Sequence, residues 1–138
     1  MKHFEITAQD HALVQAAIDV IRKNLRDERH TVGAAVRCAS GKIFTGVNVE
    51  SCGYGPCAEP IAIGAAISQG ERIFTTIVAV GGWDTRYPLL SPCGNCRQLL
   101  WDYAPEAHVL LLKDGKMIKV GIGDLLPLAY RNFYDDQD

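Results

Sequence analysis

The sequence predicts an α/β domain in which helices cover both sides of a mixed sheet. Three observations carry that expectation. After an initial strand pair, segments of helical and strand periodicity alternate along the chain. The run "RIFTTIVAVGG" is β-branched and apolar throughout, as a strand buried on both faces should be. The length of 138 residues suits one domain, able to bury well over half of its unfolded surface without a disulfide staple.

The elements follow in order. Leu13, Val14, Ala17, Ile18, Ile21 and Leu25 recur at helical spacing and predict an amphipathic helix over 10–26, with Thr7 or Asp10 available as N-cap. "TVGAAVRCA" and "KIFTGVNVE" flank "SGK" and predict a hairpin of strands at 32–39 and 42–49. The glycine-rich "SCGYGP" breaks regular structure. Residues 57–69 combine an early proline, small side chains and a following glycine, the pattern of a buried helix. The strand "RIFTTIVAVGG" follows, then an irregular stretch from Trp83 to Pro92. "CGNCRQLLWDYA" suits a helix with Ser91 as candidate cap. "AHVLLLKDGKMIKV" contains a fourth strand and a turn at "KDGK", with a fifth strand open beyond it. A short helix near "IGDLLPLAY" and a polar tail finish the chain. No repeat or linker interrupts it, so 1–138 reads as a single domain.

Composition excludes several function classes. With 48% apolar and 22% charged residues, the chain is too hydrophobic and too mixed for disorder. Its net charge is -2, and its basic residues are dispersed apart from Arg22, Lys23, Arg26 and Arg29. Nucleic-acid polymers and acidic membranes are therefore poor partners. "MKHFEITAQDHAL" places charges where a signal peptide needs an apolar core, and no run is long enough to span a bilayer. A cytoplasmic location is expected. Five cysteines, an odd number, fit metal binding or catalysis better than a secreted disulfide framework.

Two fragments concentrate the chemistry. Cys93 and Cys96 form a CxxC at the start of one predicted helix, and Cys57 begins another. Helix starts present unpaired N–H groups and partial positive charge, which favour thiolates, and thiolates bind Zn²⁺. A lone CxxC is ambiguous between metal, redox and chance. Three protein donors, however, leave a fourth vertex open, and a water held there becomes a nucleophile near neutral pH. Hydrolysis then needs a proton carrier, and Glu59 stands two residues after Cys57. Cys57-Ala58-Glu59 followed by Pro92-Cys93-Gly94-Asn95-Cys96 matches the three-cysteine form of the zinc deaminase signature, and the joint match is far more specific than either half. Backbone N–H groups at the helix starts, including that of Cys57 or Ala58, are candidates to hold forming negative charge.

On these motifs the chain resembles the cytidine deaminase family, including its blasticidin-S deaminase branch. The resemblance runs from Thr31 to Leu126 through "VGAAV", "SGKIFTGVNVE", "CAE" and "SPCGNCRQLL". It implies a three-layer α/β/α fold with a mixed five-stranded sheet. It further implies Zn²⁺ held by Cys57, Cys93 and Cys96, proton transfer by Glu59, and a small-molecule nucleoside whose sugar hydroxyls meet Asn48 and Glu50. A homotetramer whose sites share side chains across interfaces is the usual assembly, and pyrimidine salvage the usual role. The implied reaction is hydrolytic deamination of cytidine or deoxycytidine to the uridine-type product and ammonia. Blasticidin S or a modified cytosine nucleoside is the alternative substrate, and a structural-zinc or thiol-redox protein the alternative of another class.

The chain departs from the family pattern at several points. Pro60 stands where similar cytidine deaminases commonly carry an arginine, which leaves helix dipoles and Arg97 to offset the thiolate charge. The loop "SCGYGP" looks short, as in the blasticidin-S branch, whereas Glu50 looks like the cytidine type. His30 and Thr31 replace an aromatic found just before "VGAA".

Other residues carry weaker signals. Asn48 and Glu50 share a strand face. Phe44 continues that parity, with a base-pocket wall and a core position both open. Cys38 should be a buried core thiol, and Cys52 either a bystander or a fourth ligand. Tyr54, Tyr130 and Phe133 suit substrate closure or packing. None of the four histidines, His3, His11, His30 and His108, has ligand spacing or is needed by the mechanism.

Overall fold

Helix α1 (Ala8–Asn24) begins where Thr7 caps it. The Asp10 N–H donates to the Thr7 hydroxyl at 3.3 Å, and the Thr7 N–H donates to the Asp10 carboxylate at 2.8 Å. Of the two cap candidates, Thr7 is the cap, and Asp10 is its reciprocal partner three residues on. The structure, a computed structural model, describes residues 1–131; Phe133 lies outside them.

The predicted hairpin forms as β1 (Val32–Cys38) and β2 (Ile43–Val47), with Val36 opposite Phe44 and Gly33 opposite Val47. Helix α2 (Ala58–Ser68) leads to β3 (Phe74–Gly81), which lies antiparallel to β1 on its other side. Helix α3 (Gly94–Tyr103) crosses to β4 (His108–Lys113), parallel to β3. The fifth strand exists: β5 (Lys116–Gly121) pairs antiparallel with β4. Asp114 and Gly115 turn the hairpin at φ 52° and 77°, the two left-handed conformations that an Asp-Gly pair supplies at a tight turn. The mixed sheet runs β2-β1-β3-β4-β5.

Beyond β5, the predicted helix shortens to one 3₁₀ turn, Ile122–Leu125. Leu126 precedes Pro127 and is thereby pushed away from helical backbone.

Two apolar layers hold helices to the sheet. On one face Leu13, Ala17 and Ile21 of α1 bury against Ala35, Val78 and Leu110. On the other, Ala62 and Ile63 of α2 and Leu100 of α3 bury against Val36, Ile77 and Val109. Ile77 and Val78 face opposite layers, so β3 is covered on both sides, as its unbroken apolar run predicts. Cys38 is the expected core thiol, 1% exposed.

Close approach of the helices depends on small residues. A Cβ at Gly33 would lie 2.4 Å from the Ala17 carbonyl oxygen, and one at Gly46 would lie 2.7 Å from the Ala62 nitrogen. Because β2 and β3 both run antiparallel to β1, their C-terminal ends share one edge of the sheet. α2 and α3 follow those strands in the chain. The carboxyl ends of strands are where layered α/β folds place ligands.

Candidate active site

Cys57 and Cys93 are the N-caps of α2 and α3, with nearly identical extended backbones (φ -65°, ψ 170° and φ -68°, ψ 172°). Neither thiol caps its own helix, so both remain available to a ligand. Cys93, not Ser91, is the α3 cap. Ser91 stands two residues before that cap and directly before Pro92, a position that disfavours helical backbone.

The two helix starts bring three sulfurs together. Cys57 Sγ lies 3.6 Å from Cys93 Sγ, which lies 3.5 Å from Cys96 Sγ, and all three fall within 4.8 Å of one another. A tetrahedral Zn²⁺ with bonds near 2.3 Å separates its sulfur donors by about 3.8 Å, so the cluster fits that ion with little adjustment. A disulfide would need about 2.0 Å, and all three cysteines are free. Among the described residues this is the group of ligand-type side chains with metal-holding geometry; exposed Cys52 is not in it.

Electrostatics point to a cation at the same place. Burial pushes the Cys57 thiol up, and the adjoining Cys93 thiol reinforces the shift. Cys96 is pushed up by burial and then by the Glu59 charge. Burial opposes ionisation at Cys93 too, but the Cys96 N–H and the neighbouring thiols outweigh it and draw this group down. Three crowded sulfurs thus resist joint ionisation, and a divalent cation reverses that balance. Arg97 does not pair with a sulfur through its hydrogen bonds. Its Nε donates to the Pro92 carbonyl and its Nη1 to the Leu125 carbonyl, both at 2.9 Å, bracing α3 against the 3₁₀ turn. The two convergent helix starts add partial positive charge beside the thiols. Pro60 is tolerated in the first turn of α2, where its missing N–H has no helical partner to lose.

Glu59 is 5% exposed, and burial raises its carboxyl above the usual range against the opposing pull of its own N–H and Cys96. A raised carboxyl exchanges protons nearer neutral pH. Glu59, Cys57 and Cys93 line a cavity of about 240 Å³ that also reaches Ala58, Asn48 and Glu50. The Asn48 amide donates to the Glu50 carboxylate at 3.3 Å, which links two polar residues of the cavity wall. Phe44 is half-buried, packs on the core layer that α2 shares, and is not among the residues that line the cavity. Tyr54 and Tyr130 are 82% and 76% exposed.

Two of the three clustered thiols, a buried carboxyl and the polar Asn48 and Glu50 thus line one cavity. Residues 7–112 match the family model for the cytidine and deoxycytidylate deaminase zinc-binding region. The chain belongs to this deaminase family. It is 43% identical to a blasticidin-S deaminase of Bacillus cereus over 137 residues, covering 94% of this chain and 98% of that one. A cytidine deaminase of Halalkalibacterium halodurans is 35% identical over 106 residues, 74% of this chain and 78% of that one. The solved cytidine deaminase of Burkholderia pseudomallei superposes with a TM-score of 0.73 at 36% identity, covering 91% of this chain and all of the other. This deaminase is a zinc-dependent hydrolase of the family, built on the three-layer α/β/α fold.

Sequence reasoning missed part of the deaminase's cavity wall. Val32, Leu90 and Ser91 also line it. Val32 is the first residue of β1, next to Asn48, and its place at a strand end beside "GVNVE" was the available signal. Leu90 comes from the irregular stretch before Pro92, where no periodicity marks it. Among the described residues no helix is long and apolar enough to cross a membrane.

Proposed function

We propose that the enzyme deaminates a free cytosine nucleoside, cytidine or deoxycytidine, to the corresponding uridine and ammonia. The observation that carries this reading is a three-thiol cluster of which Cys57 and Cys93 line a cavity shared with buried Glu59, Asn48 and Glu50. Cys57, Cys93 and Cys96 are assigned as the zinc ligands. When bound, the ion supplies an acidified water at its open vertex.

The residues divide the remaining work. Glu59 accepts a proton from the attacking water and delivers one to the ring nitrogen, which makes C4 electrophilic. It then takes the remaining proton of the hydroxyl added at C4 and hands it to the amine, so that the C4–N bond breaks, water's oxygen stays at C4 as a carbonyl and ammonia leaves. The Ala58 N–H, at the start of α2, favours negative charge in the cavity. Asn48 and Glu50 orient the nucleoside through the sugar hydroxyls, with the Asn48 amide donating and the Glu50 carboxylate accepting.

Blasticidin S is the second reading, favoured by a likeness to the Bacillus cereus enzyme that spans nearly both chains, where the cytidine deaminase match covers about three quarters. Both substrates present a cytosine C4 amine. Ammonia release and the ultraviolet change on a panel of cytidine, deoxycytidine, cytosine, cytidine monophosphate and blasticidin S separates them. Turnover of cytidine and deoxycytidine supports the first reading, and turnover of blasticidin S alone the second. No turnover of any nucleoside, with zinc bound, refutes both.

The same reading takes the enzyme as a cytoplasmic homotetramer in pyrimidine salvage. Exposed Trp83, Tyr54 and Tyr130 are the kind of side chains that subunit contacts cover. Light scattering on the eluted protein should give about 60 kDa, four times 15.1 kDa.

A further inference from the structure

We propose that His30 is a positioning residue for substrate affinity, acting on the sugar end of the site through the Asn48 carbonyl. The inference rests on the assignment of Asn48 and Glu50 to the nucleoside sugar.

Asn48 is held at all four of its polar groups. Its N–H donates to the Val32 carbonyl at 3.2 Å, and its side-chain oxygen accepts the Val32 N–H at 3.0 Å. Its amide donates to Glu50 at 3.3 Å, and its carbonyl meets His30 Nδ1 at 2.8 Å. A carbonyl only accepts, so Nδ1 carries the proton in that contact. The two Val32 bonds use main chain on the β1 side and survive substitution there. The imidazole is the side chain that reaches in from outside the β2 end.

The backbone at His30 is set for this contact. His30 has φ 61°, a left-handed conformation that a β-carbon disfavours, just beyond the Arg26–Arg29 turn in which Asp27 and Glu28 stand at 48° and 63°. Such outliers persist where the surroundings hold them, and they gather at functional sites. The next residue is anchored too: the Thr31 carbonyl accepts the Gly82 N–H at 2.5 Å, at the end of β3. Residues 30–32 therefore join the ends of β2 and β3, the edge on which the cavity opens. His30 does not itself line that cavity, so its effect on a ligand passes through Asn48.

Two substitutions separate the ring from the backbone. His30→Gly permits φ 61° without strain and removes only the imidazole. His30→Asn tolerates the same φ and replaces Nδ1–H with an amide N–H at a comparable distance from the backbone. The native enzyme and both variants are compared for KM and kcat on cytidine, Kd for the product uridine, zinc content and melting temperature.

For His30→Gly we expect KM and the uridine Kd to rise together by about tenfold, the factor that one hydrogen bond contributes, with kcat and zinc content kept. His30→Asn should recover most of the affinity. Native KM in His30→Gly overturns the inference, as do a fall in kcat with loss of zinc and a failure of His30→Asn to recover. A native enzyme inert on every nucleoside instead sinks the functional reading, and this inference with it.

Discussion

Gly46→Ala should damage the catalytic machinery more than the fold. The added Cβ would lie 2.7 Å from the Ala62 nitrogen and 2.8 Å from Cβ and Cγ2 of Ile61, and backbone cannot swing aside as a flexible side chain does. Ordinary contact begins near 3.5 Å, so α2 must retreat from β2 by about 0.8 Å. Overpacking of this kind costs about 1–3 kcal/mol, or about 4–12 °C in melting temperature for a chain of this size. Ala62 lies one turn beyond Glu59, and Cys57 caps the same helix. The displacement therefore passes to Cys57 and Glu59, the proposed zinc ligand and proton carrier, where about 1 Å of misplacement costs about a hundredfold in rate.

Gly64→Ala is the matched control. Its Cβ meets nothing within 4 Å inside the same helix, and it should stabilise by about 0.5–1 kcal/mol with unchanged kinetics. Calorimetry, elemental zinc analysis and kcat/KM on both variants decide the matter. Native kcat/KM and melting temperature in Gly46→Ala would refute the claim that this contact sets the position of α2.

Three further outcomes are expected. Glu59→Gln should keep zinc and fold while losing about 10²–10⁴ in kcat, and retained turnover would remove Glu59 as proton carrier. Cys93→Ala should release the metal, so a full equivalent of zinc in that variant would contradict the ligand assignment. Asp10 and Lys119 pair at 3.0 Å with side chains 4% and 12% exposed. Burial opposes the Asp10 charge, but the Thr7 N–H and then Lys119 prevail and hold its carboxyl below the usual range. A depressed carboxyl stabilises the fold above its unfolded value of about 3.9, and that stability is lost as pH falls through the folded value. Lys119→Met should destabilise by about 3 kcal/mol at pH 7 and flatten the loss of stability below pH 4; urea titrations at pH 7 and pH 3 test both.

Local patterns in the sequence determined most of the secondary structure and the identity of the reacting groups. The stripe from Leu13 to Ile21 specifies α1, the unbroken apolar run at 74–81 marks a strand covered on both faces, and Cys57, Glu59, Cys93 and Cys96 announce a metal-assisted hydrolase through residue type and spacing. Such signals are legible because each depends on neighbours within a turn or two.

Only the tertiary structure decided matters that rest on distance between remote segments. Cys57 and Cys93 stand 36 residues apart in sequence, and the sheet order brings their sulfurs to 3.6 Å. Phe44 shares a strand face with Asn48, yet the first packs on the core layer and the second lines the cavity, a difference that parity along a strand does not express. Arg97 stands next to Cys96 in sequence, but which carbonyls its guanidinium meets, those of Pro92 and Leu125, is set by the packing of α3 on the 3₁₀ turn. His30, with no spacing to any other ligand-type residue, meets Asn48 because two strand ends converge there. Side-chain periodicity records which face a residue presents, whereas partners are chosen by the path of the whole chain.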